Sequence, residues 1–394
     1  MVMLFKLRVI KVLSCLIRFS RGQCDWVVRE MVNLLVTVGS GAMATYSQKL
    51  AEKLDVPKVY TDIYQRVARR FNTPWLSRGT LRAVRDDRNF GKILSKLSGV
   101  VHLPNQHLGR YGNSLRTPYI ITVHDLIRYF DLKKYGTYIH HPNRRDRFYL
   151  NCDYKGIKKA ARVIAISEAT KRDLIHHLGI PDDRIRVVYP GIDHVAFRPS
   201  FGASNVEYPY ILFVGSEHPR KNLLTLLGAF SRLKGQSSFN NLKLVKVGKA
   251  GGREADFRKQ SIEAINSLNL DGEVIFTGVV SEADLRVYYS NAECLVFPSL
   301  YEGFGIPPLE AMACGCPVIT SDSSSLPEVV GEAAIKISSR DVEGLAAALE
   351  KILTERQLKE ELITKGMKQT AKFSWEQTAE KTLRIYKEVE ENFC

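Results

Sequence analysis

Short apolar, β-branched runs alternate with longer helical patterns from Met31 onward, and the rhythm starts over once. The first set is "LLVTV" (34–38), "KVYT" (58–61), "VVHL" (100–103), "YIITVHD" (119–125), "RVIAIS" (162–167) and "RIRVVYPG" (184–191). A loop, "PSFGASNVEYP" (199–209), precedes the second set: "YILFVGS" (210–216), "LKLVKVG" (242–248), "VIFTG" (274–278), "CLVFPS" (294–299), "PVITS" (317–321) and "AAIKI" (333–337). Helical stretches such as "AMATYSQKLAEKL" (42–54), "NLLTLLGAFSRL" (222–233) and "SEADLRVYYSNAE" (281–293) lie between them. Near-continuous apolar strands parted by helices build parallel sheets covered on both faces. Two such sets predict two doubly wound α/β domains. A chain of 394 residues has the length for about two cores. The resulting boundaries are a basic extension 1–30, a first domain 31–198, a linker 199–209, a second domain 210–372 and an amphipathic closing helix 373–394. Ligands of such sheets bind beyond the carboxyl ends of the strands, so two facing domains make a cleft lined by strand-end loops.

Four loops at strand ends carry chemistry. Gly39-Ser40-Gly41, after the first strand, reads with Ala44 as G-x-G-x-x-A, and Asp62 follows the second strand. The glycines either make a tight turn or bring backbone amides and a helix start toward a phosphate. His124-Asp125 closes a buried strand; His124 is placed to bond a sugar hydroxyl, while Asp125 orients the loop or caps a helix. In "GSEHPRKNLLTLL", Arg220 and Lys221 precede a helix whose cap is Asn222, so two cations and a helix dipole favour an anion. Last, "YEGFGIPPLEAMACG" sets Glu302 before a helix and Glu310 about one turn inside it. Gly303 and Gly305 leave amides unshielded, and Pro307 and Pro308 suit a first helical turn. The two acids are not helical neighbours, so they reach different parts of one extended ligand.

Charge is divided unevenly. Residues 1–200 hold 35 Lys+Arg against 16 Asp+Glu, and residues 201–394 hold 22 against 26. A one-sided positive field suits an anionic membrane surface or a phosphorylated acceptor. It does not suit nucleic acid, for which no stacking platform of aromatics is interleaved. Clusters at Arg66, Arg69, Arg70, Arg78, Arg82, Arg85 and Arg88 are the places for such contact. The segment 1–30 is a signal peptide interrupted by basic residues, a membrane-lying amphipathic helix, or an extension ahead of a domain opening at Met31. No window holds about 18 uninterrupted apolar residues, so no membrane span is expected. Seven cysteines form no framework, which points to reduced thiols in a cytoplasmic protein. Cys314-Gly-Cys316 lacks a second ligand pair, His140-His141 and His176-His177 read as surface residues, and no metal site is expected. Trp375 reads as a core anchor.

The stretch from Glu302 to Glu310 resembles the E-x7-E element of the retaining glycosyltransferases of family 4, a GT-B group. "VHD" (123–125), "AISEATKRDL" (165–174), "VVYPGID" (187–193) and "FVGSEHPRKNL" (213–223) fall in that family's order, as does "FTGVVSEADLRVYYSNAECLVFPS". The resemblance covers most of the chain from about residue 100. It implies a GT-B fold and transfer of a hexose from a nucleotide sugar with retention. It also implies that Glu310 accepts from the ribose hydroxyls and that Glu302 and His124 face the transferred sugar. By the same resemblance, amides of Phe304, Gly305 and Ile306 contact sugar and phosphate, Arg220 and Lys221 neutralise the departing diphosphate, and the glycines at 39 and 41 close over it. No DxD-like pair stands at a suitable strand end, so transfer without a metal or other cofactor is expected. The wording "PRKN" is similar to mannosyltransferases using GDP-mannose, with a UDP-hexose as the second case and a glycan or lipid-linked acceptor. Two departures bear on the donor: Ser216 stands where the family often has arginine, and "VGKAGG" (247–252) replaces a commoner acidic loop. A non-catalytic nucleotide-sugar or glycan-binding module and a nicotinamide-dependent oxidoreductase using Gly39, Gly41 and Asp62 are the rival readings.

Overall fold

The computed structural model describes residues 32–39, 41–61, 88–136, 139–200, 206–251 and 257–393. The extension 1–30, Ser40, Asp62, Arg66, Arg69, Arg70, Arg78, Arg82 and Arg85 lie outside the described residues. Among those described, β1 (Val32–Val36), β2 (Lys58–Tyr60), β3 (Val100–Leu103), β4 (Tyr119–Val123), β5 (Arg162–Ala165) and β6 (Ile185–Val187) form the first sheet. Its order is β2-β1-β3-β4-β5-β6, all parallel. A second sheet holds β7 (Tyr210–Val214), β8 (Lys243–Val247), β9 (Val274–Gly278), β10 (Cys294–Phe297), β11 (Val318–Ser321) and β12 (Ile335–Ile337). Its order is β12-β11-β10-β7-β8-β9, again parallel. Each expected strand is present, shortened where the run continues into a loop. Every residue of β3, β4, β10 and β11 is buried, which is why these runs are continuously apolar rather than alternating.

The covering helices of the first domain are α1 (Ala42–Lys53), α2 (Ile127–Lys133), α3 (Arg144–Lys159) and α4 (Glu168–Leu178). Those of the second are α5 (Leu223–Lys234), α6 (Phe257–Ser267), α7 (Glu282–Asn291), α8 (Ile306–Ala313), α9 (Leu326–Val330), α10 (Val342–Thr354) and α11 (Arg356–Thr370). Local chemistry sets their ends. Asn143 and Asp146 form a reciprocal capping box on α3. Ser167 accepts from the Thr170 amide to start α4, and Gly179, at φ 64°, stops it.

The last helix, α12 (Trp375–Phe393), returns to the first domain. The Tyr386 hydroxyl lies 2.6 Å from His102 Nδ1 in the core of the first sheet, and Arg162 lies 2.9 Å from Glu388. Buried Ile385, Tyr386 and Val389 hold this seam more than its half-buried ion pairs do. The two chain crossings touch at Gly191, where a Cβ would stand 2.2 Å from the Trp375 amide nitrogen.

Strand order then locates the chemistry. In each sheet the order reverses beside the first strand, between β1 and β3 and between β7 and β10. A crevice opens at such a switch point, outside the carboxyl ends of the strands. The loops bordering the second crevice are those that carry Arg220-Lys221 and Glu302.

Candidate active site

One cavity of about 480 Å³ lies between the two sheets' carboxyl ends. The first domain and the hinge contribute Ala42, Met43, Tyr46, Lys49, His124, Asp125, Asp193 and Trp375 to its walls. Arg220, Lys221, Glu282, Glu302, Gly303, Phe304, Gly305, Ile306 and Glu310 come from the second domain.

Lys221 and Glu302 are 81 positions apart in sequence, yet Lys221 Nζ donates to Glu302 Oε1 at 2.6 Å. Arg220 Nη1 reaches the same oxygen at 2.9 Å. Pairing of β7 with β10 makes this possible, and the Leu300 amide bonds the Arg220 carbonyl at 2.7 Å to tie the two loops. Lys221 also sits 4.6 Å above the Phe297 ring, the last residue of β10. Burial lowers the Lys221 ammonium to about 8, although Glu302 opposes that shift. Burial alone raises the Glu302 carboxyl, but the Arg220 and Lys221 cations more than reverse it, so the group lies below the usual Glu value. Asn222 occupies the cap position of α5 without capping it. At φ 59° its amide turns to the Pro298 carbonyl at 2.9 Å, and no backbone donor of α5 reaches its side chain.

Serine side chains hold the acid loop in shape. The Glu302 amide donates to Ser324 Oγ at 2.8 Å, while Ser325 Oγ donates to the carbonyls of Glu302 (3.0 Å) and Phe304 (2.6 Å). Gly305, at φ +125°, turns the chain into α8, whose first turn holds Ile306, Pro307 and Pro308. One turn along, Glu310 Oε2 accepts from the Tyr289 hydroxyl at 2.9 Å. Burial raises the Glu310 carboxyl to about 7, with the Tyr289 hydrogen bond opposing the shift.

On the facing side, His124 Nε2 is 2.9 Å from the Pro104 carbonyl. A carbonyl only accepts, so Nε2 carries the proton and Nδ1 keeps its lone pair. Burial pushes this imidazole down to about 4, so it is neutral at pH 7. Asp125 Oδ1 accepts from the Ile127 amide at 3.0 Å at the start of α2. Gly39 and Gly41 have φ of +134° and +110°, and Gly41 precedes α1. These glycines do not line the cavity; Ala42 and Met43, the next residues into α1, do.

Sequence reasoning missed Glu282 and the Lys49–Asp193 pair (2.9 Å) in the cavity wall, and Tyr289 as the buried partner of Glu310. It also read Trp375 as core alone, whereas the residue is buried and lines the cavity. "SEADLRVYYSNAE" and "PGID" were visible as motifs, but nothing in them shows which side chain faces inward. His140 departs from the expected surface position: its side chain is only 16% exposed, with Nε2 3.3 Å from Asp146 Oδ2. Cys314 and Cys316 are buried free thiols. Among the described residues no His, Cys, Asp and Glu side chains group as a metal site, and no helix is long and apolar enough to cross a membrane.

Residues 37–195 match the family model described as Glycosyltransferase Family 4, and residues 198–369 match Glycosyl transferases group 1. O-antigen chain mannosyltransferase B of Escherichia coli is 30% identical over 276 residues, 68% of this chain and 70% of that one. The chain belongs to glycosyltransferase family 4. Serotype-specific mannosyltransferase WbdA of Escherichia coli is 32% identical over 272 residues, 66% of this glycosyltransferase but 32% of that longer protein. The GT-B fold is shared with sucrose-phosphate synthase from Thermosynechococcus elongatus, with a TM-score of 0.73, 23% identity and coverage of 92% of this chain and 100% of that one. Anabaena Alr3699/HepE in complex with UDP and glucose gives a TM-score of 0.68 at 18% identity, covering 91% and 99%. Family membership sets aside the nicotinamide reading of the glycine turn.

Proposed function

We propose that this glycosyltransferase moves a hexose from a nucleotide sugar to a glycan or lipid-linked acceptor, with retention and without a metal ion. Mannose from GDP-mannose is the favoured donor and a UDP-hexose the second. The observation that carries the reading is the convergence of Arg220, Lys221, Glu302 and Glu310 on one cavity of about 480 Å³, a volume usual for ligand sites. The mannosyltransferase relatives support the choice of sugar.

A donor lying across the cavity meets Glu310 at its ribose and Glu302 at its sugar. The diphosphate lies between them, against Arg220, Lys221 and the amides of Phe304, Gly305 and Ile306. As the glycosidic C–O bond breaks, negative charge gathers on the diphosphate, and fixed cations aimed there lower the barrier. They supply the charge that a divalent ion supplies elsewhere. Neutral His124 accepts from a sugar hydroxyl through Nδ1. A Glu302 oxygen already shared by two cations is a weak nucleophile. That favours a same-face route in which the departing phosphate takes the acceptor's proton.

The test is a thermal-shift screen with GDP- and UDP-sugars, followed by a transfer assay with and without chelator. A ligand at a hundred times its Kd adds about 2.7 kcal/mol. Stabilisation by GDP-mannose and chelator-insensitive transfer are expected; chelator-sensitive transfer overturns the metal-free reading.

The pH dependence has two sides. Ionised Glu310 accepts from ribose, so kcat/KM climbs as its proton leaves near pH 7. Charged Lys221 holds the diphosphate, so kcat/KM falls as that proton leaves near pH 8. A narrow bell between these values is expected from initial rates. Glu310→Gln removes the acid limb and leaves the alkaline one; an unchanged acid limb in that variant refutes the assignment.

A further inference from the structure

α4 of the first domain receives the acid loop of the second along one face. At its first turn, the amides of Glu168 and Ala169 donate to Glu328 Oε2 and Oε1, each at 2.9 Å. The Tyr189 hydroxyl donates to Oε2, also at 2.9 Å. Glu328 stands on α9 in the second domain, directly after the Ser324-Ser325 pair that shapes the Glu302 loop. Further along α4, Thr170 Oγ1 lies 3.4 Å from the Gly303 carbonyl and 3.3 Å from the His124 carbonyl. Asp173 accepts from the Tyr301 hydroxyl, and the Tyr301 ring packs edge-on against Phe130 at 5.2 Å. Contact is so close that a Cβ on Gly303 would stand 1.9 Å from the His124 carbonyl oxygen.

A helix start leaves its first amides without intrahelical partners. Ser167 takes the third of these in α4, at Thr170. Glu328 takes the first two with a carboxylate from the other domain, whose charge also suits the helix dipole. Separation of the domains would release these donors to water, so the contact exists only when the cleft is shut.

We propose that Glu328 is a positioning residue: its carboxylate latches the acid loop onto α4, so that Glu302 and His124 face one donor sugar together. The inference rests on the donor-site reading above. Glu328 does not line the cavity and acts through the loop. Two discrete arrangements, latched and released, give it leverage on turnover rather than on nucleotide affinity, since the diphosphate contacts belong to the second domain alone. A released latch also admits water to the donor.

The test compares the full-length protein with Glu328→Gln, Glu328→Ala and Tyr189→Phe. Readouts are kcat, the ratio of donor hydrolysis to transfer, the Kd for GDP, the melting temperature, and the radius of gyration by small-angle X-ray scattering with GDP. For Glu328→Ala, kcat falls about 5- to 50-fold while the GDP Kd stays within about twofold, a span typical of intersite coupling. The hydrolysis ratio rises and the GDP-bound particle is larger than the parent. Glu328→Gln keeps one acceptor oxygen and falls between. Tyr189→Phe costs little in the parent and nothing further in Glu328→Ala, because the two groups share one contact. An unchanged hydrolysis ratio and particle size, with only the melting temperature lowered, overturns the latch in favour of simple structural support. Scattering needs no turnover, so an absence of transfer with every donor sinks the donor reading while the latch is still judged by particle size.

Discussion

Lys221→Ala is expected to cut kcat/KM for transfer about 10²–10³-fold, the usual loss on removing one fixed donor from developing negative charge, or ~3–4 kcal/mol of barrier. The ammonium is buried, sits over Phe297 and shares Glu302 Oε1 with Arg220, so its position is set before any donor arrives. Arg220 already lies 2.9 Å from Glu302, so in the variant that carboxylate keeps a partner and the fold is expected to survive. The loss should appear mainly in kcat, because the charge it meets is larger at the transition state than in the bound donor. Initial-rate kinetics with a matching melting temperature checks it. A variant that loses less than about fivefold would show that Lys221 does not meet the leaving group.

Glu302→Gln has an opposite-signed pair of effects. Transfer falls about 10²–10³-fold, because the carboxylate opposes positive charge that builds on the anomeric carbon. GDP binds about tenfold tighter, equivalent to ~1.4 kcal/mol, because two cations otherwise held by Glu302 are released to the diphosphate. Isothermal titration with GDP and rate assays on one preparation measure both. Weaker GDP binding in the variant contradicts the competition. A glycosyl adduct trapped on Glu302 of the parent enzyme, found by mass spectrometry, contradicts the same-face route.

The latch and the active pair share a cause. Gly303 is in close backbone contact with His124, so the first domain also bounds the loop that the serines and cations of the second domain hold. On the latch proposed above, domain closure and the catalytic geometry are coupled, in keeping with closure that excludes water from a reactive donor.

Much of this was legible in the sequence, and particular residues show why. Strands such as "YIITV" and "CLVF" are buried on both faces and so are continuously apolar, which marks them without any partner being known. The spacing of Glu302 and Glu310 and the adjacency of Arg220 and Lys221 are local facts, and they singled out the two loops that matter. Gly39 and Gly41 have the positive φ that builds a turn, while the described cavity wall begins at Ala42, the next residue into α1. Asn222 failed as a cap because a left-handed backbone turned its amide to the end of β10, a strand whose place beside β7 no local pattern announces.

Local periodicity and turn chemistry thus determined the elements, the two-domain class and the loops carrying charge, since each depends on residues a few positions apart. Strand order, and with it the meeting of Lys221 with Glu302, was decided only by the tertiary structure, as were the raised Glu310 carboxyl and the grip of Glu328 on α4. Those depend on which distant side chains exclude water from one another, and burial of that kind is a property of the packed chain rather than of any stretch within it.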